Sequence, residues 1–260
     1  MDNQQRQSLP PLPLAASQGG PDDATQTAWK LAAAQAAVAA IPDGAVLGLG
    51  SGTTAMLMVR ELAARIQQQG LRVTGVPTSE QTRATAAALG IPLADLNDVP
   101  AVTMSIDGAD EVTFPRLDLI KGLGGALLRE KLVASASRYR VIIADATKAV
   151  PALASARPIP VEVIPFGWRH TAGRLGALGA RVVLRTASDA TPGDPNAAPY
   201  VTDTGNYILD CSFGPIPQPD MLAGYLKATV GVVEHGLFIG MTDRVYLAGP
   251  DGVRIYDRPR

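Results

Sequence analysis

From about residue 27 the chain alternates two kinds of apolar pattern. Short unbroken runs, "GAVLGLG" (44–50), "LRVTGVP" (71–77), "PAVTMSID" (100–107), "LDLIKG" (117–122) and "RVIIADA" (140–146), read as strands buried on both faces. Between them lie segments of helical composition. These are "TAWKLAAAQAAVAAI" (27–41), stopped by Pro42; "AMLMVRELAARIQQQG" (55–70), stopped by Gly70; "SEQTRATAAALG" (79–90), with Gly90 as its C-cap; and "GALLREKLVASAS" (125–137). Strands alternating with helices predict a parallel sheet covered on both faces, an open α/β fold.

After Lys148 the pattern changes. "PVEVIP" (160–165) and "ARVVLRT" (180–186) read as strands around a helix, "GWRHTAGRLGALG" (167–179). "YVTDTGNYILDCSF" (200–213) carries an Asp-Thr-Gly-Asn turn between β-prone arms, a hairpin signal. A helix, "MLAGYLKAT" (221–229), and a strand, "GVVEHGLFIG" (231–240), complete a small α+β unit, and "RVYLAGPDGVRIY" (244–256) reads as two strands joined by a turn. "ASDATPGDPNAAP" (187–199) is a Pro/Gly/Asp-rich exposed loop, and residues 1–25 have the Pro, Gln, Ser and Gly content of a disordered tail.

Composition narrows the class. With 47% hydrophobic and 18% charged residues in 260, the chain can bury a sizeable core. A formal net charge of −1 gives no general attraction to nucleic acid or to an anionic membrane. Any anionic ligand must therefore be held by local groups. The single cysteine, Cys211, excludes an intramolecular disulfide and a Cys-rich zinc site, and is expected to pack in the interior. The amino-terminal stretch is a poor secretory signal and no run reaches the ~18 apolar residues of a membrane span, so a cytoplasmic location is expected.

Two glycine-rich turns and one acidic strand end carry the candidate chemistry. "GLGSGTTA" follows a strand and opens a helix; Gly48, Gly50 and Gly52 allow close backbone approach. The helix-start N–H groups with Ser51, Thr53 and Thr54 suit an anion. The dinucleotide motif fails, because Thr53 occupies its last glycine position and "QQQGLRV" offers no ribose-binding acid. A small phosphorylated ligand is expected instead, against the plain alternative of a tight βα turn.

"SIDGADEV" (105–112) sets Asp107, Gly108, Ala109, Asp110 and Glu111 at a strand's carboxyl end, where open sheets bind ligands. Lys121, Gly122, Leu123, Gly124 and Gly125 form the second turn, and Glu130 follows on a helix. Three readings stand. A metal site lacks histidines of ligand spacing, since His170 and His235 are far away, and Lys121 would compete for the same carboxylates. Turn caps and a solvated helix face form the second reading. The third is proton transfer beside a carbonyl: a carboxylate base, a lysine and backbone N–H groups for the oxyanion, and a second acid to shuttle protons.

The ordered series "GLGSGTTA", "PTSEQT", "SIDGADEV", "IKGLGGALLREK", "IADATKAV", "PVEVIP", "VTDTGNYILD", "GVVEHGLF" and "GPDGV" resembles the type A ribose-5-phosphate isomerases, from about Lys30 to the C-terminus. The resemblance implies a doubly wound Rossmann-like parallel sheet with a smaller inserted ferredoxin-like α+β domain. It also implies interconversion of D-ribose 5-phosphate and D-ribulose 5-phosphate through a cis-enediolate, with no cofactor and no metal, in the non-oxidative pentose phosphate pathway. By position Glu130 matches the base, Asp107 the acid serving the sugar oxygens, Asp110 a hydroxyl-binding acid and Lys121 the enediolate-stabilising lysine, beside the backbone of Gly122, Leu123 and Gly124. Ser51, Gly52, Thr53 and Thr54 match the ligand-binding loop, Gly108 and Ala109 its neighbouring strand end, Lys148 a ligand-contacting lysine, and Lys30 a phosphate-reaching one.

The implied division is a catalytic domain of residues 26–154 and 238–260 with a small domain of 155–237, assembled as a homodimer or homotetramer. Leu123 stands where glycine is common in the family, which would tighten the pocket. Two rivals predict other features. A sugar-phosphate-sensing module would carry an amino-terminal helix-turn-helix, and a CoA transferase of related fold would use a carboxylate as covalent nucleophile.

Overall fold

A computed structural model describes residues 21–187 and 197–259. In chain order the first elements are α1 (Asp23–Ala39), β1 (Ala45–Leu49), α2 (Gly52–Gln69), β2 (Val73–Pro77), α3 (Glu80–Ala88), β3 (Met104–Asp107), β4 (Glu111–Val112), β5 (Leu119–Ile120), α4 (Leu127–Ser135) and β6 (Arg140–Asp145). They are followed by β7 (Ile159–Val163), α5 (Trp168–Ala177), β8 (Arg181–Leu184), β9 (Tyr207–Ser212), α6 (Pro219–Ala228), β10 (Val232–His235), β11 (Leu237–Phe238), β12 (Arg244–Gly249) and β13 (Gly252–Asp257).

The main sheet has the order β13-β12-β6-β3-β1-β2, parallel except for the antiparallel edge strand β13. This is the expected doubly wound arrangement, and its strands are apolar because both faces are covered. Alternation along β6 shows the two faces: Ile143 packs into the core under α1 and α2, whereas Ile142 and Ala144 pack with Phe238 and Leu247 on the other side. The second sheet is antiparallel in the order β10-β7-β9-β8 and, with α5 and α6, has the β-α-β-β-α-β path of a ferredoxin-like unit. Cys211 is fully buried in its core. A third, three-stranded sheet, β11-β5-β4, joins the two larger units.

Several elements differ from expectation. Helix α1 begins at Asp23 rather than Thr27, because the Asp22 carboxylate accepts from Thr25 N at 2.7 Å and caps it. Residues 21–25 of the expected tail are therefore outside any tail, and residues 1–20 lie outside the described residues. Most of the expected 187–199 loop also lies outside them; its described ends meet through Ala187 N donating to Ala198 O at 3.0 Å, next to a bridge between Thr186 and Pro199. The hairpin keeps its turn, with Thr202 N donating to Asn206 O, but its first arm reduces to a bridge between Val201 and Tyr207. "GVVEHGLFIG" is two strands in two sheets, β10 and β11. At Gly236 between them a Cβ would lie 2.2 Å from Lys121 O, so the chain passes there only as glycine. The expected boundary at 237/238 falls inside β11.

Candidate active site

The site lies beyond the carboxyl ends of β1, β3 and β6, where an open parallel sheet leaves a crevice. An open cleft of about 460 Å³, mouth included, is lined by Lys30, Ser51, Gly52, Thr53, Thr54, Gly108, Ala109, Asp110, Lys121, Gly122, Gly124, Glu130 and Lys148. The topology thus brings together residues up to 118 positions apart in the chain, from Lys30 to Lys148. Two expected residues are placed differently. Asp107 lies at the inner wall, bonded to groups of the cleft, and Leu123 is not among the lining residues. Leu123 donates its N–H to Asp110 Oδ2, 2.9 Å away, and the tightening expected from its larger side chain is not seen in the cleft lining.

The glycine turn after β1 runs against Asp107. Gly50 must lack a side chain, because a Cβ would lie 2.2 Å from Asp107 Oδ1. Ser51 is the N-cap of α2, yet its hydroxyl makes no capping bond; it pairs with Thr78 Oγ1 at 2.6 Å. The first residues of α2, Gly52, Thr53 and Thr54, therefore line the cleft with their N–H groups uncapped, flanked by Lys30 and Lys148, an arrangement that suits an anion. The "PTSEQT" segment supports this turn from below, with Thr78 Oγ1 donating to Leu49 O at 3.1 Å and Thr82 Oγ1 to Gly50 O at 3.0 Å.

Asp107, Lys121 and Glu130 form a buried charge cluster at the inner wall. Lys121 Nζ donates to Gly108 O at 2.7 Å and lies 3.0 Å from Asp107 Oδ2 and 3.3 Å from Glu130 Oε2. Asp107 Oδ1 also accepts from Ser51 N at 3.1 Å and Gly108 N at 2.7 Å. Glu130 falls on the buried stripe of α4 with Leu127 and Val133, not on a solvated face. Its Oε2, although near Nζ, misses hydrogen-bond angles and has no partner among the described residues.

These contacts decide the protons. Burial raises the Asp107 carboxyl, opposed by Lys121 and the two backbone N–H groups. Burial also raises Glu130, to about 8; Lys121 opposes this, and the charges of Asp107 and Asp110 add to it. Burial works against the Lys121 charge, but Asp107, Glu130 and Asp110 outweigh it and hold the ammonium above its ordinary value. One ammonium cannot neutralise two carboxylates. Asp107 has backbone hydrogen bonds that favour its ionised form and Glu130 has none, so Glu130 is the more readily protonated of the two. The ammonium also occupies the point between the two acids that a cation would need. Among the described residues no group of three or more His, Cys, Asp or Glu is arranged to hold a metal.

Glu111, the remaining acid of the strand end, is built into the fold. It accepts from Ala154 N, Ala156 N and Arg157 N at 2.6–2.9 Å and clamps the loop before β7. His235 is buried and neutral, lowered to about 4 first by burial and then by the charge of Lys131. Sequence reasoning assigned no role to Thr78 and Thr82, although the Ser/Thr-rich turn after β2 is a visible signal. It also passed over Arg185 and Phe238, for which no local signal exists: Arg185 reaches Gly122 from 63 positions along the chain.

An open α/β sheet with this constellation has the makings of an enzyme that moves protons on a small anionic substrate. A sequence profile of the family described as ribose 5-phosphate isomerase A (phosphoriboisomerase A) matches residues 74–252. The chain is 54% identical to ribose-5-phosphate isomerase A of Synechococcus sp. (strain JA-3-3Ab) over 86% of its own length and 94% of that relative. Its fold superposes on ribose 5-phosphate isomerase A from Methanocaldococcus jannaschii with a TM-score of 0.82 and 38% identity, covering 89% of this chain and 99% of that one. A D-ribose-5-phosphate isomerase solved in complex with phospho-erythronic acid gives 0.84 and 34%, covering 89% and 98%. The chain belongs to the ribose 5-phosphate isomerase A family. Among the described residues no helix is long and apolar enough to cross a membrane.

Proposed function

We propose that this chain interconverts D-ribose 5-phosphate and D-ribulose 5-phosphate through a cis-enediolate, with Glu130 as the base. The observation that carries the reading is Glu130: a cleft-lining residue whose Oε2 is buried beside the Lys121 ammonium without a hydrogen bond, on a carboxyl raised to about 8. A base of that strength is matched to proton abstraction near neutral pH.

Ionised Glu130 takes the proton from C2 of the aldose. The C2–H electron pair becomes the C1=C2 double bond, and the carbonyl electrons move onto O1. Lys121 Nζ and the N–H groups of its turn stabilise that oxyanion. Asp107 serves the two oxygens as a proton passes from O2 to O1, and Asp110 binds a neighbouring hydroxyl. Glu130 then returns its proton to C1 and O2 becomes the ketose carbonyl, so atoms and charge balance without a redox step. Gly52, Thr53 and Thr54 with Ser51, Lys30 and Lys148 hold the phosphorylated substrate, using the open N-terminus of α2.

The reading includes a cytoplasmic homodimer or homotetramer, a catalytic unit of residues 26–154 and 238–260, and a small domain of 155–237. Ketose formation from D-ribose 5-phosphate, run in D2O with and without EDTA, tests it. Ketose carrying deuterium at C1, formed equally with chelator, is expected from a base that exchanges its proton with solvent. Absence of ketose would overturn the reading, and a loss reversed by a divalent ion would return Asp107 and Asp110 to a metal.

A further inference from the structure

The small domain reaches the catalytic turn through one side chain. Arg185 follows β8, with its own N–H donating to Ile208 O at 2.9 Å. Its guanidinium is fixed by Asp210 of β9, Nε to Oδ2 at 2.9 Å and Nη2 to Oδ1 at 2.5 Å. That fork aims Nη1 at two successive carbonyls of the other domain, Gly122 O at 3.1 Å and Leu123 O at 3.0 Å. The side chain is 14% exposed.

In a trans peptide the N–H points opposite to the C=O. Holding the Gly122 carbonyl therefore turns the Leu123 N–H the other way, where it donates to Asp110 Oδ2. Holding the Leu123 carbonyl turns the Gly124 N–H away from Arg185. Gly124 lines the cleft, and its N–H donates to no protein group among the described residues. A cation on the carbonyl side also polarises each peptide unit and strengthens the donor on its far side. Tyr200 presses on the next residue: Gly125 has φ +86°, and a Cβ there would lie 2.2 Å from Tyr200 Oη.

We infer that Arg185 is a positioning residue for catalysis. From the small domain it orients and polarises the Lys121–Gly125 turn, so that the Gly124 N–H meets the enediolate oxyanion. This rests on the isomerase reading above. A plain inter-domain tie would use the same ion pair, so the test must separate the two.

Steady-state kinetics with D-ribose 5-phosphate, melting temperature and amide hydrogen exchange are measured for wild type, Arg185→Met, Arg185→Lys and Asp210→Asn. Arg185→Met is expected to lower kcat ~10- to 100-fold with KM within about threefold, the pattern of an interaction made in the transition state. Arg185→Lys recovers part of kcat, because a point charge reaches one carbonyl but cannot fork across Asp210. Asp210→Asn lowers kcat about tenfold or less by leaving the guanidinium unaimed. The Leu123 amide exchanges about tenfold faster in Arg185→Met, while amides of β1 and β3 are unchanged.

Three results would overturn the role: kcat within twofold of wild type, a rise in KM alone, or unchanged exchange at Leu123. Should Arg185→Met not fold, the lysine and Asp210→Asn variants carry the same comparison. Wild type without ketose formation would sink the isomerase reading, and exchange at Leu123 would still judge the orientation of the turn.

Discussion

Lys121 and Lys131 lie against the same ring, their Nζ atoms 5.5 Å and 4.7 Å from the Phe238 centroid; Lys121 is buried between two acids and Lys131 is half-buried against one. Their surroundings invert one another. Around Lys121 two carboxylates share one ammonium, and Glu130 is left without a hydrogen bond. Around Glu234 two ammonium groups share one carboxylate, Lys131 at 2.8 Å and Lys227 at 2.8 Å. Lys131 also donates to His235 O at 2.5 Å and to Leu237 O at 3.0 Å, so all three of its donors are used. Burial lowers Lys131 to about 8, Glu234 opposing it. Burial works against the charge of Glu234, but Lys131 and Lys227 hold it at about 2. The satisfied cluster pins the β10–β11 crossing, and the unsatisfied one has the charge balance that the proposed proton transfer needs. Stoichiometry of charge, not burial alone, separates a reactive acid from a structural one.

The largest expected effect comes from removing the unsatisfied carboxylate. Glu130→Gln should lower kcat ~10³-fold or more while D-ribose 5-phosphate still binds by calorimetry, since shape remains and basicity does not. Turnover near wild type would remove Glu130 as the base. Breaking the satisfied cluster should act on stability instead. Lys131→Met should cost about 2 kcal/mol in urea unfolding, less than a fully orphaned charge because Lys227 still faces Glu234, with kcat within about tenfold. Turnover abolished in a fully stable Lys131→Met would erase the distinction between the two sites.

A pH profile sharpens it further. Log kcat/KM should climb with unit slope, about tenfold per pH unit, and level off above about pH 8 as free Glu130 ionises. A profile flat from pH 6 to 9 would contradict the raised carboxyl. The smallest effect is thermal. Glu130 has its ordinary value of 4.5 unfolded and about 8 folded. Its contribution to stability is therefore full below about 4.5 and lost as pH rises through about 8. Glu130→Gln should melt a few degrees above wild type at pH 9 and close to it at pH 4. Glu234, lowered from 4.5 to about 2, has the opposite sign: its contribution is present above about 4.5 and lost on acidification toward 2. Glu234→Gln should accordingly show a weaker acid destabilisation than wild type.

Much of the fold was readable because its strands and helices announce themselves locally. Unbroken apolar runs appear where a parallel strand is covered twice, and Gly70, with φ of +67°, is the C-cap of α2; for α3 the C-cap is Leu89, and Gly90, with φ of +74°, stands one residue beyond the expected cap position. Shorter elements carried no such signal. "EV" is a two-residue strand only because Ile120 and Leu119 pair with it, and "EHGLF" splits between sheets at Gly236, whose N–H donates to Pro160 O while its carbonyl accepts from Lys121 N. The start of α1 turned on a single carboxylate, that of Asp22, accepting from the N–H three residues ahead.

For the site, the amino-acid order alone determined which residues are available: two glycine turns, the Asp107–Asp110 strand end, Lys121 and Glu130. Their types and spacing follow strand–turn–helix rules that act within about ten residues. Tertiary structure decided what each became. It turned Glu130 inward on α4 and gave Asp107, rather than Glu130, the hydrogen bonds. It also made Glu111 a loop clamp and brought Arg185 against the Lys121–Gly125 turn. Protonation depends on burial and on charges across the fold, and a linear pattern carries neither.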